Sequence, residues 1–299
     1  MKNLLNISIC VPACNEEKNI GKLLTALCGQ KTEKIKINKI VVISSGSTDK
    51  TNEIVQAFCD KNQNIILVKE PERSGKASAI NTFLKIIDDE IVVIESADTI
   101  PNIDTMEKLC IPFLNDEKIG MTGGAPFPVN DPNTFLGYII HAWWWFHRNI
   151  PRFGEIIAFR NIIENIPKSS AVDEAYIQAV MIKKNYKVVH IDKAVVYNKG
   201  PETVADLIKQ RRRIFNGHAR LQKDELIKID NMTKSSLRLM LFDYEMKNLK
   251  HLVWFLSGIL IEVYARLLGT WDMSVKNYNP AVWDMADSTK DLSVKEEDI

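Results

Sequence analysis

With 299 residues, 45% of them hydrophobic, the chain is long enough for one large domain or two small ones with ample core, and it is too apolar to be disordered. Its 39 Lys and Arg nearly balance 38 Asp and Glu, so a net charge of +1 argues against bulk binding of nucleic acid or another polyanion. No apolar leader precedes the first strand-like run, and the five cysteines (Cys10, Cys14, Cys28, Cys59 and Cys110) are odd in number, so the expected setting is a reducing cytoplasm with neither a disulfide framework nor a zinc site.

Ile7–Val11 is a β-rich run that ends at Pro12, and Glu16–Cys28 carries Ile20, Leu23, Leu24 and Leu27 at helical spacing. Ile40–Ile43 reads as a second strand, Thr51–Phe58 as a helix, Ile65–Val68 as a third strand, Ala77–Ile87 as a helix and Ile91–Ile94 as a fourth strand. Nearly all-apolar strands alternating with helices predict a parallel sheet covered on both faces, whose ligands bind beyond the carboxyl ends of the strands. The polar clusters Asn15–Glu17, Ser44–Asp49 and Glu95–Asp98 fall at those ends. Farther on, Phe135–Phe146 is apolar and holds Trp143, Trp144 and Trp145 in succession. Ile156–Phe159, Val188–Ile191 and Ala194–Tyr197 read as short strands, and Asp173–Lys183 and Val204–Leu221 as helices, the latter strongly basic. Leu249–Leu268 is the most apolar stretch, and the last ten residues, with four carboxylates, are expected to fray.

Four clusters carry chemistry. Asn15-Glu16-Glu17 and Ser45-Gly46-Ser47-Thr48-Asp49 each follow a strand, and taken singly each reads equally as a cap or a polar turn. Asp98, in Glu95-Ser96-Ala97-Asp98, sits where a carboxylate can hold Mg²⁺ or Mn²⁺ together with diphosphate oxygens. Asp173-Glu174 offers a general base for an acceptor hydroxyl, and Gln210-Arg211-Arg212-Arg213 offers charge to neutralise a leaving diphosphate.

In this order the clusters resemble a family 2 glycosyltransferase. Val11-Pro12-Ala13-Cys14-Asn15-Glu16-Glu17 is similar to V-P-x-x-N-E-E, Ser45–Asp49 to D-G-S-T-D, Gly75-Lys76-Ala77 with Asn81 to G-K-x-x-A-x-N, and Ser96–Pro101 to D-A-D-T-x-P. Asp173-Glu174 stands at the family's E-D pair, and Gln210–Ile214 is similar to Q-x-x-R-W. The resemblance spans about residues 7 to 220. It implies an α/β GT-A fold, Rossmann-like with a mostly parallel sheet flanked by helices, a nucleotide-sugar donor, a divalent metal and inversion at the anomeric carbon. It also implies that Asn15, Glu17, Ser45, Asp49 and Lys76 bind the donor. Asp98 would hold the metal against the donor, Glu174 would be the base with Asp173 as the alternative, and Gln210 and Arg213 would contact diphosphate and acceptor. The chain departs from the pattern at Ser45, at Ser96, at Ile214 and in the order of Asp173 and Glu174. The serine at position 96 leaves Asp98 to do more, with Glu95 or a histidine as helper. The missing Trp at Ile214 weakens a processive reading.

Residues 1–225 are therefore expected to form the catalytic domain and 226–299 a helical extension. His251–Leu268 would span about 27 Å as a helix, with His251, Gly258, Glu262 and Arg266 on one narrow face, which fits an interfacial or protein-packed helix better than a free span. The Trp143–Trp145 run and the excess of 11 Lys and Arg over 6 Asp and Glu between Ala205 and Lys250 suit a membrane surface. The expectation is a peripheral enzyme on the inner face of the cell membrane, moving sugar to a lipid-linked or glycan acceptor.

Overall fold

The structure is a computed structural model and describes residues 4–149, 153–223, 248–276 and 289–292. Its centre is an eight-stranded sheet in the order β3-β2-β1-β4-β7-β6-β8-β5. The strands are β1 (Leu5–Ala13), β2 (Ile35–Ser45), β3 (Ile65–Glu70), β4 (Ile91–Glu95), β5 (Thr99–Pro101), β6 (Ile119–Pro128), β7 (Ile156–Arg160) and β8 (Lys187–Asn198). The helices are α1 (Ile20–Cys28), α2 (Thr51–Cys59), α3 (Lys76–Leu84), α4 (Thr105–Asn115), α5 (Phe135–Asn149), α6 (Asp173–Lys183), α7 (Val204–Lys223) and α8 (Leu249–Ser274).

Strand side chains alternate between two cores, as the period of two demands. Ile7, Ile9, Val11, Val42 and Val93 pack under Leu23, Leu24 and Leu27 of α1 and Leu109 of α4. Cys10, Val41, Ile43, Val92 and Ile94 face the opposite way, against Ile80 and Phe83 of α3 and Ile177 and Met181 of α6. This explains why β1, β2 and β4 read as continuous apolar runs. The strands β3, β2, β1 and β4 are all parallel, and the strand order reverses between β2 and β4 on either side of β1. The crevice at such a reversal lies beyond the strand carboxyl ends, where the loops after β1 and β4 face each other.

The structure adds β5, α4 and β6, which the sequence reading did not pick out, and differs from it elsewhere as well. The β7 strand runs antiparallel to both β4 and β6, a direction that an apolar run does not encode. Val188–Ile191 and Ala194–Tyr197 belong to one strand, because β8 stays paired to β6 across a bulge that absorbs Asp192 and Lys193. The first helix begins at Ile20, with Asn19 as its N-cap; Asn15 is not a cap but holds a left-handed backbone, φ 53°. Residues 290–292 do not fray: Lys22 donates to the Leu292 carbonyl at 2.7 Å, and the Leu292 amide donates to Asn19 Oδ1 at 2.9 Å.

The α8 helix lies on α5 and α7. Its narrow polar face is the packed one: His251 stacks on Tyr138 with ring centroids 4.6 Å apart, and Arg211 reaches Glu262 at 2.6 and 3.1 Å. Arg266 donates to Glu262 at 2.7 Å, and Arg212 grips Asp272. Burial alone would raise the Glu262 carboxyl, but Arg211 and Arg266 hold it down at about 2. At Gly269 the helices come so close that a Cβ would lie 2.8 Å from Phe215 and 3.1 Å from the Arg212 carbonyl. The opposite face is apolar and open, with Leu260 69% and Leu267 64% exposed. The 225/226 boundary and the Asp224–Lys247 part of the basic excess lie outside the described residues.

Candidate active site

Beyond the carboxyl ends of β1, β2 and β4 lies a cavity of about 1150 Å³, lined by residues from nearly every cluster singled out in the sequence. From the first motif come Pro12, Cys14 and Glu16, and from the second Ser45. Lys76, Ser96, Asp98, Asp173, Glu174, Gln210 and Arg213 complete the set.

Asn15, Glu17 and Asp49 are not on the wall. They knit the two loops behind it: Asn15 Oδ1 accepts from the Thr48 amide at 2.7 Å, Asp49 Oδ2 from the Glu17 amide at 3.1 Å, and Glu17 Oε2 from the Lys50 amide at 3.1 Å. Their effect on a ligand is to fix the shape of the loops that Cys14 and Ser45 present. Ser45 Oγ accepts from the Ser74 amide at 3.0 Å and thereby anchors the loop that leads to Lys76.

Lys76 opens α3 directly after Gly75, whose φ of 86° only glycine holds without strain. The turn aims the ammonium into the cavity, where it pairs with Glu174 and lies 3.4 Å from Ser96 Oγ. Burial presses Lys76 toward neutrality, but Glu174, Asp173 and Glu155 outweigh it and raise its affinity for the proton. Asp173 and Glu174 occupy the first turn of α6, where backbone amides favour negative charge. Asp173 is 2% exposed and its Oδ1 has no hydrogen-bond partner. Arg213, on α7, lies in the field of Glu174, Glu155, Asp98 and Asp173.

Burial first, and then the charge of Glu174, push the Asp173 carboxyl up to about 7. A free aspartate titrates near 3.9, so between about pH 4 and 7 the folded chain keeps a proton that the unfolded chain has lost. Stability from this group is therefore full below pH 4 and is lost as pH rises through 7. Asp173→Asn is expected to raise the unfolding midpoint at pH 8, by roughly 2–4 °C per kcal/mol recovered, and to leave it nearly unchanged at pH 4. Thermal unfolding at the two pH values checks this, and an equal shift at both would contradict it.

Among the wall residues that escaped the sequence reading are Glu16, Glu155 and Lys290. Glu16 was visible only as part of its motif; burial and Asp98 lift its carboxyl to about 7 against the pull of Lys290. Lys290 comes from the C-terminal stretch, pairs with Glu16 and donates to the carbonyls of Cys14 and Asn15 at 3.2 and 3.1 Å. Glu155 stands just before β7 with no motif around it; only strand pairing brings it to the site. By contrast Glu95, a candidate helper to Asp98, is fully enclosed, accepts from Thr99 and is not on the wall. The tryptophans also divide differently from expectation. Trp143 and Trp144 line the cavity, and the partly buried Trp145 packs on Phe146 at 5.2 Å in the cluster between α5 and α8.

Residues 8–178, more than half of the chain, match the family described as Glycosyl transferase family 2. A probable glycosyltransferase, YdaM, of Bacillus subtilis is 26% identical over 238 residues, covering 73% of this chain and 56% of that protein. The poly-beta-1,6-N-acetyl-D-glucosamine synthase of Staphylococcus aureus is 27% identical over 238 residues, covering 74% and 57% respectively. The chain thus spans little more than half the length of these curated relatives. Among solved structures, the mannosyltransferase PcManGT of Pyrobaculum calidifontis, in complex with GDP-Man and Mn²⁺, superposes with a TM-score of 0.56 at 22% identity, over 92% of this chain and 81% of that one.

Proposed function

The chain belongs to glycosyl transferase family 2 and is a glycosyltransferase with the GT-A fold, and we propose that it transfers a sugar from a nucleotide-sugar donor to a lipid-linked or glycan acceptor with inversion. The observation that carries this reading is the convergence of Lys76, Asp98, Asp173, Glu174, Gln210 and Arg213, which are separated by up to 137 positions in sequence (213 − 76), on one cavity at the strand ends.

On this reading the loops after β1 and β2 hold the nucleoside. Ser45, Lys76, Gln210 and Arg213 face the diphosphate, and Glu174 removes the acceptor hydroxyl proton. The acceptor oxygen then forms its bond to the anomeric carbon from the side opposite the diphosphate, whose bond to that carbon breaks. Lys76 and Arg213 are half-buried cations that would lie next to the departing charge, where a sheltered site strengthens electrostatic stabilisation. Asp98 fits a divalent cation, Mg²⁺ or Mn²⁺: its hard oxygen donors suit either, and it stands on the cavity wall with Ser96 and Lys76. Such an ion, when bound, neutralises charge on the diphosphate.

We further assign residues 1–225 to the catalytic domain and 226–299 to an extension that seats the enzyme on the inner face of the cell membrane. Support comes from the open apolar face of α8, on which Leu249, Val253, Leu256, Leu260, Val263, Leu267 and Trp271 recur at helical spacing.

A panel of UDP-, GDP-, dTDP- and CMP-sugars with Mg²⁺ or Mn²⁺ tests the donor reading by thermal shift. At 100 times its Kd the true donor adds about 2.7 kcal/mol of stability, so one nucleotide should stand well clear of the others. A panel with no responder would refute a nucleotide-sugar donor.

A further inference from the structure

Resting on the glycosyltransferase reading above, we propose that Glu155 supplies a second carboxylate to the divalent-cation site, standing in across the sheet for the acid that Ser96 replaces. The family pattern places an acid two residues before Asp98; here that position is Ser96, whose hydroxyl can help only weakly. The β4 and β7 strands are antiparallel with Glu95 opposite Ile156, so the next pair outward is Ser96 with Glu155. The Ser96 amide donates to the Glu155 carbonyl at 3.1 Å, which pins the two residues together. Directly opposed residues on neighbouring strands point to the same side of a sheet with Cβ atoms about 5 Å apart. An acid moved from 96 to 155 therefore still faces the same space. Ser96, Asp98 and Glu155 all line the cavity.

Three further observations favour this acid over any other. The Glu155 side chain makes no hydrogen bond or ion pair with another described residue, and Asp98 is the neighbouring charge it feels most. Of the two cations that act on Glu155, Lys76 and Arg213, the stronger, Lys76, is already engaged by Glu174. Glu95 is enclosed and bonded to Thr99. Two carboxylates set close together in a sheltered pocket repel each other unless a cation sits between them, and an all-oxygen pair completed by diphosphate and water suits Mn²⁺ or Mg²⁺.

The test is Mn²⁺ titration of the full chain, followed by the electron paramagnetic resonance of the free ion, in the presence of UDP and separately of GDP. Glu155→Gln is expected to weaken Mn²⁺ binding tenfold or more, and adding Ser96→Asp to that variant should restore most of the affinity. A folding defect cannot produce such a recovery. Wild-type Mn²⁺ affinity in Glu155→Gln overturns the proposal, and so does a loss that Ser96→Asp fails to recover. Asp98→Asn separates the two levels: if it loses Mn²⁺ while Glu155→Gln does not, only the role of Glu155 falls. If Asp98→Asn keeps Mn²⁺, the metal reading of the site falls with it.

Discussion

Glu174→Gln is expected to cut kcat by about 10²–10⁴-fold, the usual contribution of a general base, while donor binding persists. Glutamine keeps the shape and can accept a hydrogen bond, but it cannot take a proton. Glu174 is paired with Lys76. On the proposed reading a diphosphate in the same cavity would compete for that ammonium and so free Glu174 to act as the base. Single-turnover transfer of labelled sugar, with thermal shift by the donor as the binding control, reads both quantities. If Asp173→Asn and not Glu174→Gln removes the rate, the base lies one residue earlier. Near-normal turnover in both variants would exclude this carboxylate pair from the chemistry.

The second large effect concerns α8. In flotation with anionic phospholipid vesicles, wild-type protein is expected to rise with the lipid, and the double variant Leu256→Glu, Leu260→Glu to stay in the soluble fraction. Both side chains are on the open face, 49% and 69% exposed, and neither supports the protein core. Burying a leucine is worth about 1.5–3 kcal/mol. Losing two therefore weakens partitioning by at least roughly 10²-fold at 1.4 kcal/mol per decade, before the cost of placing carboxylates at the bilayer is counted. Wild-type protein that remains soluble at low salt would remove the membrane from the reading.

Much of this was legible in the sequence. Apolar runs gave β1, β2 and β4 because strands buried on both faces need no alternation, and the loops at their carboxyl ends then had to share an edge. The convergence of Asp98 with Asp173 and Glu174 followed from that edge and from the family resemblance. Strand direction was not legible: Ile156–Phe159 reads the same either way, and only its antiparallel seat beside β4 carries Glu155 to Ser96. The role of Asn15, Glu17 and Asp49 was half legible. Their loops were placed correctly, but side chains that hydrogen-bond neighbouring loops cannot be told by sequence from those that face a ligand. Lys290 was hidden altogether, since no local pattern marks a residue whose partners, Cys14, Asn15 and Glu16, lie at the other end of the chain.

The basic run on α7 serves two masters. Gln210, Arg211, Arg212 and Arg213 all line the cavity, and Arg211 and Arg212 are also held by Glu262 and Asp272 of α8. A helix is stiff over so short a span, so a shift of α8 that keeps these ion pairs carries the backbone at Arg213 with it. On the reading proposed above, a surface that shifts α8 would act as a lever on the diphosphate end of the site. Turnover at that surface should differ from turnover in free solution even when the acceptor is a small soluble one, because the lever is set before any acceptor arrives.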